Sequence, residues 1–349
     1  MPEAILEPDL PIVDPHHHLW DRTGGRPAPP PPVLGPETHP FTRVGARSPR
    51  YLIEELLADL RSGHKVIGTV FVQCGAMYRA DGPAALKPVG ETEFVNGVAA
   101  MGASGAYGDV RPCAGIVGHA DCTSGEAAVD QTLEAHLKVS DRFRGIRHSC
   151  SYDADPNVLG PLARQTPGLY LSDDFRKGYA RLAKYGMSFD AWLLEPQLDE
   201  LLDLARAFPN TPVILDHVGT PLGIASYQGR RGERFPVWRD NIRKLAALPN
   251  VSVKLGGLAM AFCNFPSFLQ TPAASSAQLA NEWKPYIETC IENFGVNRCM
   301  FESNFPVDMG SCSYPVLWNA FKVLAKNYSA AEKTALFSAT AARVYRLKI

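Results

Sequence analysis

The chain has almost no net charge: 35 basic residues face 36 acidic ones among 349, a formal balance of −1. This removes the electrostatic basis for binding nucleic acid or an anionic membrane surface. Long apolar runs are also missing, and no window approaches the roughly 18 consecutive apolar residues that a bilayer-crossing helix needs. The first residues, Met1 to Glu7, are acidic and contain no apolar core of the kind a secretory leader requires, which predicts the cytosol. Cysteines are present, at 74, 113, 122, 150, 263, 290, 299 and 312, but none forms a C-x-x-C pair. Without a leader they read as reduced, packed thiols. No G-x-G-x-x-G follows the first apolar strand, which argues against dinucleotide binding.

What is present is a regular alternation. Short apolar segments at 10–14, 65–73, 111–117, 143–146, 187–189, 212–215, 251–255 and 298–301 read as strands. Helical periodicity lies between them: after a Ser48-Pro49 start with Leu52, Leu56, Leu57 and Leu60 on one face, and over 91–101, 124–139, 173–185, 196–208, 237–248 and 275–294. Eight βα units with apolar strands predict a parallel sheet covered by helices, closed into a single, distorted (β/α)8 TIM barrel over residues 1–349. Three glycine- and proline-rich stretches, 22–48, 219–236 and 256–275, read as long βα loops that wall a pocket. The Pro29 to Pro32 run belongs to the first of them.

The chemistry-bearing residues fall where the strands end. Ile12-Val13-Asp14-Pro15-His16-His17-His18 leads the first strand into three histidines, and strand alternation sends His16 and His18 one way and His17 the other. Two imidazoles one residue apart form a chelate suited to zinc and its neighbours. His119, Arg147 with His148, Asp190, His217, Lys254, and Glu302 with Asn304 end later strands. In a barrel of this type, the carboxyl ends of the strands form the active face.

These residues resemble the amidohydrolase superfamily, in particular its lactonase-like branch, which includes 2-pyrone-4,6-dicarboxylate lactonase and fuconolactonase. The resemblance spans the chain and rests on VDPHHHLWD at 13–21, FRGIRH at 143–148, SFDAWL at 188–193, VILDHVG at 213–219, VSVKLGGL at 251–258 and MFESNFPVD at 300–308. It implies a barrel that hydrolyses lactones, esters or related bonds of small, often acidic, molecules. His16, His18 and His217 would form the metal or carbonyl-polarising site, with a divalent metal, zinc in some relatives and absent in others. Arg147, His148, Asp190 and Lys254 would meet the substrate.

One position departs from the pattern. The family usually ends its eighth strand in serine-aspartate-x-proline, whereas here the sequence is Ser303-Asn304-Phe305-Pro306. An amide can orient water but cannot be the general base. Asp308, the nearest carboxylate downstream, is the first candidate for that role, with Glu302, Asp190 or a metal-bound hydroxide as the others. The expected activity is therefore hydrolysis of a carboxylate-bearing lactone or ester. A non-oxidative decarboxylase on the same barrel is the alternative, and a non-catalytic binding barrel the third reading. The expected partner is a small molecule, and the sequence leaves a homo-oligomer open.

Overall fold

The computed structural model describes residues 3–26, 34–35, 37–163 and 166–349. Eight strands form one sheet: β1 (Ile12–His17), β2 (Val66–Val72), β3 (Arg111–Gly118), β4 (Phe143–Arg147), β5 (Ser188–Ala191), β6 (Val213–Leu215), β7 (Val251–Leu255) and β8 (Cys299–Phe301). They lie in chain order, every neighbouring pair parallel. Such strands can be apolar nearly throughout because helices cover their outer faces. The barrel axis is filled by Val13, Val70, Val72, Val117, Ile214 and Met300. Ala341 and Tyr345, from the C-terminal helix Thr340–Val344 and the residue after it, enter the same cluster.

Closure between β8 and β1 is made beyond the end of β8. Asn304 N–H donates to the His16 carbonyl at 2.9 Å, and His18 N–H donates to the Phe305 carbonyl at 2.8 Å. His17 and Phe305 form a single parallel bridge. The seam therefore runs through the histidine cluster and Asn304, which is the distortion expected of the barrel.

Several boundaries differ from the sequence reading. The first strand runs to His17, so His16 lies on the strand itself. Ser48 and Pro49 do not start a helix. Arg50–Tyr51 instead pairs antiparallel with Trp20–Asp21, and the helix begins at Ile53, where the Glu55 carboxylate accepts the Leu52 N–H at 2.9 Å. The loop expected over 22–48 contains the helix Pro40–Arg47, while Pro29 to Pro32 lie outside the described residues. The helix expected over 237–248, after a loop to 236, is instead Arg231–Ala246 and carries Pro236 inside it. The helix expected over 173–185 breaks at Ala180 into Asp173–Tyr179 and Arg181–Lys184. Among the described residues, no helix is long and apolar enough to cross a membrane.

Candidate active site

The carboxyl ends of the strands surround a cavity of about 430 Å³. Its polar wall includes His18, His119, Arg147, His148, His217 and Asn304, and its apolar wall includes Trp20, Phe41, Trp192 and Phe262. Aromatic faces opposite convergent polar groups are the usual makeup of a small-molecule pocket.

At its base, Glu302 holds two histidines. Its Oε1 lies 2.7 Å from His217 Nδ1 and its Oε2 lies 2.8 Å from His16 Nδ1. Local backbone makes this approach possible. His217 sits in the left-handed region at φ 56°, and a Cβ on Gly257 would fall 2.4 Å from its imidazole ring. A Cβ on Gly256 would fall 2.5 Å from Glu302. The Gly256-Gly257 pair after β7 is thus a steric requirement of the cluster.

His16, His217 and Glu302 offer ligand atoms within 4.8 Å of one another. The expected triad contained His18 instead of Glu302. Strand alternation is broken by a register shift between Asp14 and His17, and His18 lies past the end of β1. His18 Nδ1–H donates to the Val72 carbonyl at 2.7 Å, leaving Nε2 bare. The His18 ring stands edge-on to His16, 4.9 Å between centroids. His17 points elsewhere, with its Nε2 2.8 Å from Thr69 Oγ1 and its ring against Phe71.

A second layer lies beneath. Lys254, fully buried, reaches Asp190 at 2.6 Å, Asp216 at 3.0 Å and His16 Nδ1 at 3.1 Å. Tyr345 donates its hydroxyl to Asp190 at 2.6 Å from the opposite end of the barrel. Neither Asp190 nor Lys254 lines the cavity, so their placement does not match the expectation that they touch substrate. They stand one layer down within the strands, where each satisfies the other's charge. Arg147 does line the cavity, but its guanidinium is engaged by the Gln73 carbonyl, by Asp216 at 3.6 Å and by His16 Nε2 at 3.4 Å.

Electrostatics favour a cation at this base. Burial, then the nearby Lys254, pushes His16 well below the ordinary imidazole value, so its ring is neutral. Burial and Arg147 do the same to His18. Burial pushes Asp216 up, but Lys254, His217 and Arg147 outweigh it and hold the group low. Among the described residues, three buried carboxylates, Asp190, Asp216 and Glu302, face two fixed cations, Arg147 and Lys254. Glu302 Oε2 and both Asp216 oxygens make no properly directed hydrogen bond among the described residues, close as Lys254 stands. Two imidazoles, the His16 ring neutral, and a carboxylate oxygen without a directed hydrogen bond form a donor set that fits a divalent cation.

Asp308 is not placed as a base. It lies outside the cavity wall, its Oδ1 accepts from Asn304 Nδ2 at 2.8 Å and its Oδ2 from the Ala259 N–H at 3.3 Å. Burial pushes it well above the usual carboxylate range. It acts on the cavity only by fixing the Asn304 amide. His148 accepts the Cys122 N–H on Nδ1 at 3.3 Å, which leaves its proton on Nε2. His119 donates Nδ1–H to the Arg147 carbonyl at 2.8 Å, leaving Nε2 bare.

Residues assigned no role from the sequence complete the site. Asp216 and Tyr345 join the buried layer, while Trp20, Arg22 and Phe262 line the mouth. Glu91 stands behind the wall, its Oε1 accepting from Cys74 N–H at 3.1 Å and Ala76 N–H at 2.9 Å. Burial raises Glu91 from 4.5 to about 7. A carboxyl raised on folding contributes stability below its unfolded value, and that contribution is lost as pH rises through about 7. Glu91→Gln keeps the accepting oxygen and removes the titration. Its stability relative to the parent is therefore expected to improve from pH 5 to pH 8.5, by on the order of 3 kcal/mol at most. Thermal unfolding at the two pH values measures this, and a pH-independent gap would contradict it.

A buried histidine–carboxylate cluster under the open carboxyl face of a (β/α)8 barrel defines a barrel enzyme of the hydrolytic kind. The chain belongs to the amidohydrolase family, whose model, described as Amidohydrolase, matches residues 13–347. It is 34% identical over 344 residues to the uncharacterized protein y4mH of Sinorhizobium fredii, covering 97% of this chain and 99% of the relative. It is 31% identical over 211 residues to an L-fucono-1,5-lactonase of Burkholderia multivorans, covering 59% of this chain and 64% of that protein. A solved amidohydrolase of Burkholderia multivorans with bound zinc superposes with a TM-score of 0.70 at 24% identity, covering 97% of this chain and 99% of that one. The family and its lactonase-named members make the chain a hydrolase.

Proposed function

We propose that the chain hydrolyses a small lactone or ester of sugar or planar-ring size, carrying an anionic substituent. The observation behind this reading is that His18, neutral and with a bare Nε2, stands beside the His16–His217–Glu302 cluster under an aromatic-walled cavity. His18 Nε2 takes the proton of the attacking water. Asn304, its amide fixed by Asp308, orients that water without accepting its proton. His148, neutral with its proton on Nε2, donates a hydrogen bond to the departing oxygen, which takes the proton that His18 accepted from the water. Trp192 and Phe262 give the ring a face to stack on. Arg22 lies 4.5 Å over Trp20 and its guanidinium makes no hydrogen bond among the described residues, so it is the cation left to meet a carboxylate. His16, His217 and Glu302 would hold a divalent cation such as zinc, which supplies Lewis acidity toward oxygen when bound.

The test is a panel of sugar lactones, L-fucono-1,5-lactone first, with simple δ-lactones, carboxylated pyrones and aromatic carboxylic acids, followed by proton and carbon dioxide release. Turnover of a lactone or ester supports the reading. Carbon dioxide release without any hydrolysis overturns it in favour of a decarboxylase. Protein purified without chelator is expected to carry about one divalent ion per chain and to lose activity when that ion is removed. Elemental analysis beside the assay checks this, and full activity in metal-free protein would remove the metal from the reading while leaving hydrolysis intact.

Asn304→Asp provides a further check. The new carboxyl would stand 2.8 Å from the Asp308 oxygen that now receives the amide. Two buried carboxyls so close share one proton. Turnover is expected to fall about tenfold despite the closer match to the family pattern. Steady-state rates across pH measure this, and a faster variant would show that the neutral amide is not what the site requires.

A further inference from the structure

The amino end of the barrel, opposite the catalytic mouth, carries a second concavity of about 160 Å³. Arg111 begins β3, Arg142 stands just before β4 and Arg144 lies within it, and all three line this pocket with Lys348 and Asp141. Four cations less one carboxylate leave a local charge of +3, in a chain whose overall balance is −1. The single carboxylate neutralises little. Asp141 is 74% exposed and touches Arg142 at 3.5 Å.

The basic groups spend their remaining donors on neutral acceptors. Arg142 reaches Asn96 Oδ1 at 3.2 Å, and Arg111 reaches the Asp109 carbonyl at 2.9 Å. Arg144 holds the Asp141 carbonyl at 2.6 Å and the Phe143 carbonyl at 3.0 Å. Its side chain is buried in the wall, and its Nε is enclosed without a partner. A buried guanidinium within a crowd of like charge is costly unless an anion offsets that charge.

We propose that this basal pocket binds a compact oxyanion of the phosphate class, either the free ion or a small phosphomonoester. Guanidinium forks match the oxygens of such an anion in pairs, as a lysine-only patch does not. The volume of about 160 Å³ suits a single phosphate-sized group. Burial, then Arg346 and Arg142, weakens the hold of Arg144 on its proton, the electrostatic stress that a bound anion relieves. Lys348 lies three residues beyond Tyr345, so an occupied pocket also fastens the segment that plugs the barrel.

Calorimetric titration of the full chain with sodium phosphate and with glycerol 3-phosphate, against sodium chloride at matched ionic strength, tests the proposal. Saturable binding is expected, weakened about tenfold in Arg142→Gln and in Arg111→Gln. Asp141→Asn, which removes the one opposing charge, is expected to tighten it several-fold. These exposed or half-exposed positions spare the fold where Arg144→Gln would endanger it, and they lie away from the catalytic mouth, where phosphate could bind separately. Binding of the ester as well as the ion identifies a phosphomonoester site, and exclusion of the ester identifies a free-ion site. Affinity unchanged across all three variants, or no heat beyond chloride, overturns the proposal.

Discussion

Glu302→Gln is expected to lower kcat by about 10²- to 10⁴-fold and to strip the chain of divalent metal, while the fold survives. Glutamine keeps the length of the side chain and one accepting oxygen, so His217 Nδ1, now 2.7 Å from Oε1, retains a partner. What disappears is the negative charge that His16 and His217 share. In the parent, Asp190, Asp216 and Glu302 face Arg147 and Lys254, three charges against two; in the variant the balance is even. Removing the surplus buried anion relieves the apo-protein, so its unfolding midpoint should hold or rise. A structural residue would behave the other way, losing stability and activity together. Kinetics, metal content and thermal unfolding, read side by side, separate the two. A Glu302→Gln enzyme within twofold of the parent in rate and metal content would show that the cluster is not the reaction centre.

Glu302 also marks the limit of what the sequence discloses. The barrel was legible because eight apolar segments alternate with helical ones, and the mouth because a polar residue follows nearly every strand. Which polar residues converge was less accessible. Alternation put His16 and His18 on one face, but the irregularity between Asp14 and His17 and the end of the strand at His17 separate their roles. Asp190 and Lys254 stand at strand ends in the sequence just as Arg147 does, and depth along the barrel axis, which no local pattern encodes, puts them under the cavity and Arg147 in its wall. Tyr345 had no signal at all. It meets Asp190 across 155 residues only because the last helix turns into the barrel from the far end. Asn304, in contrast, was visible as a departure from a pattern, though its partnership with Asp308 required the backbone turn at φ 53°.

Lys254→Met should be the most destabilising single change in the site. Methionine fills the same channel, so the packing loss is small and the electrostatic effect dominates. The lysine now stands 2.6 Å from Asp190 and 3.0 Å from Asp216, both fully buried. Breaking a buried ion pair from one side leaves charge uncompensated and costs about 3–5 kcal/mol. Among the described residues, Asp216 keeps Arg147 at 3.6 Å, whereas Asp190 keeps only the Tyr345 hydroxyl. The deficit therefore concentrates on Asp190, whose carboxyl burial already raises to about 6 even with the lysine present. Without the cation it rises further. A carboxyl raised on folding is best tolerated at low pH, where it is protonated, and its contribution is lost as pH climbs through the folded value. The variant's deficit should accordingly be small near pH 5 and full near pH 8. The Lys254→Met, Asp190→Asn double variant should recover more than half of the loss at pH 8. Denaturant unfolding of the parent, the single and the double variant at both pH values decides the matter. A deficit that is equal at both pH values and untouched by Asp190→Asn would mean that Lys254 serves packing, and that the layer beneath the histidines is not held by charge.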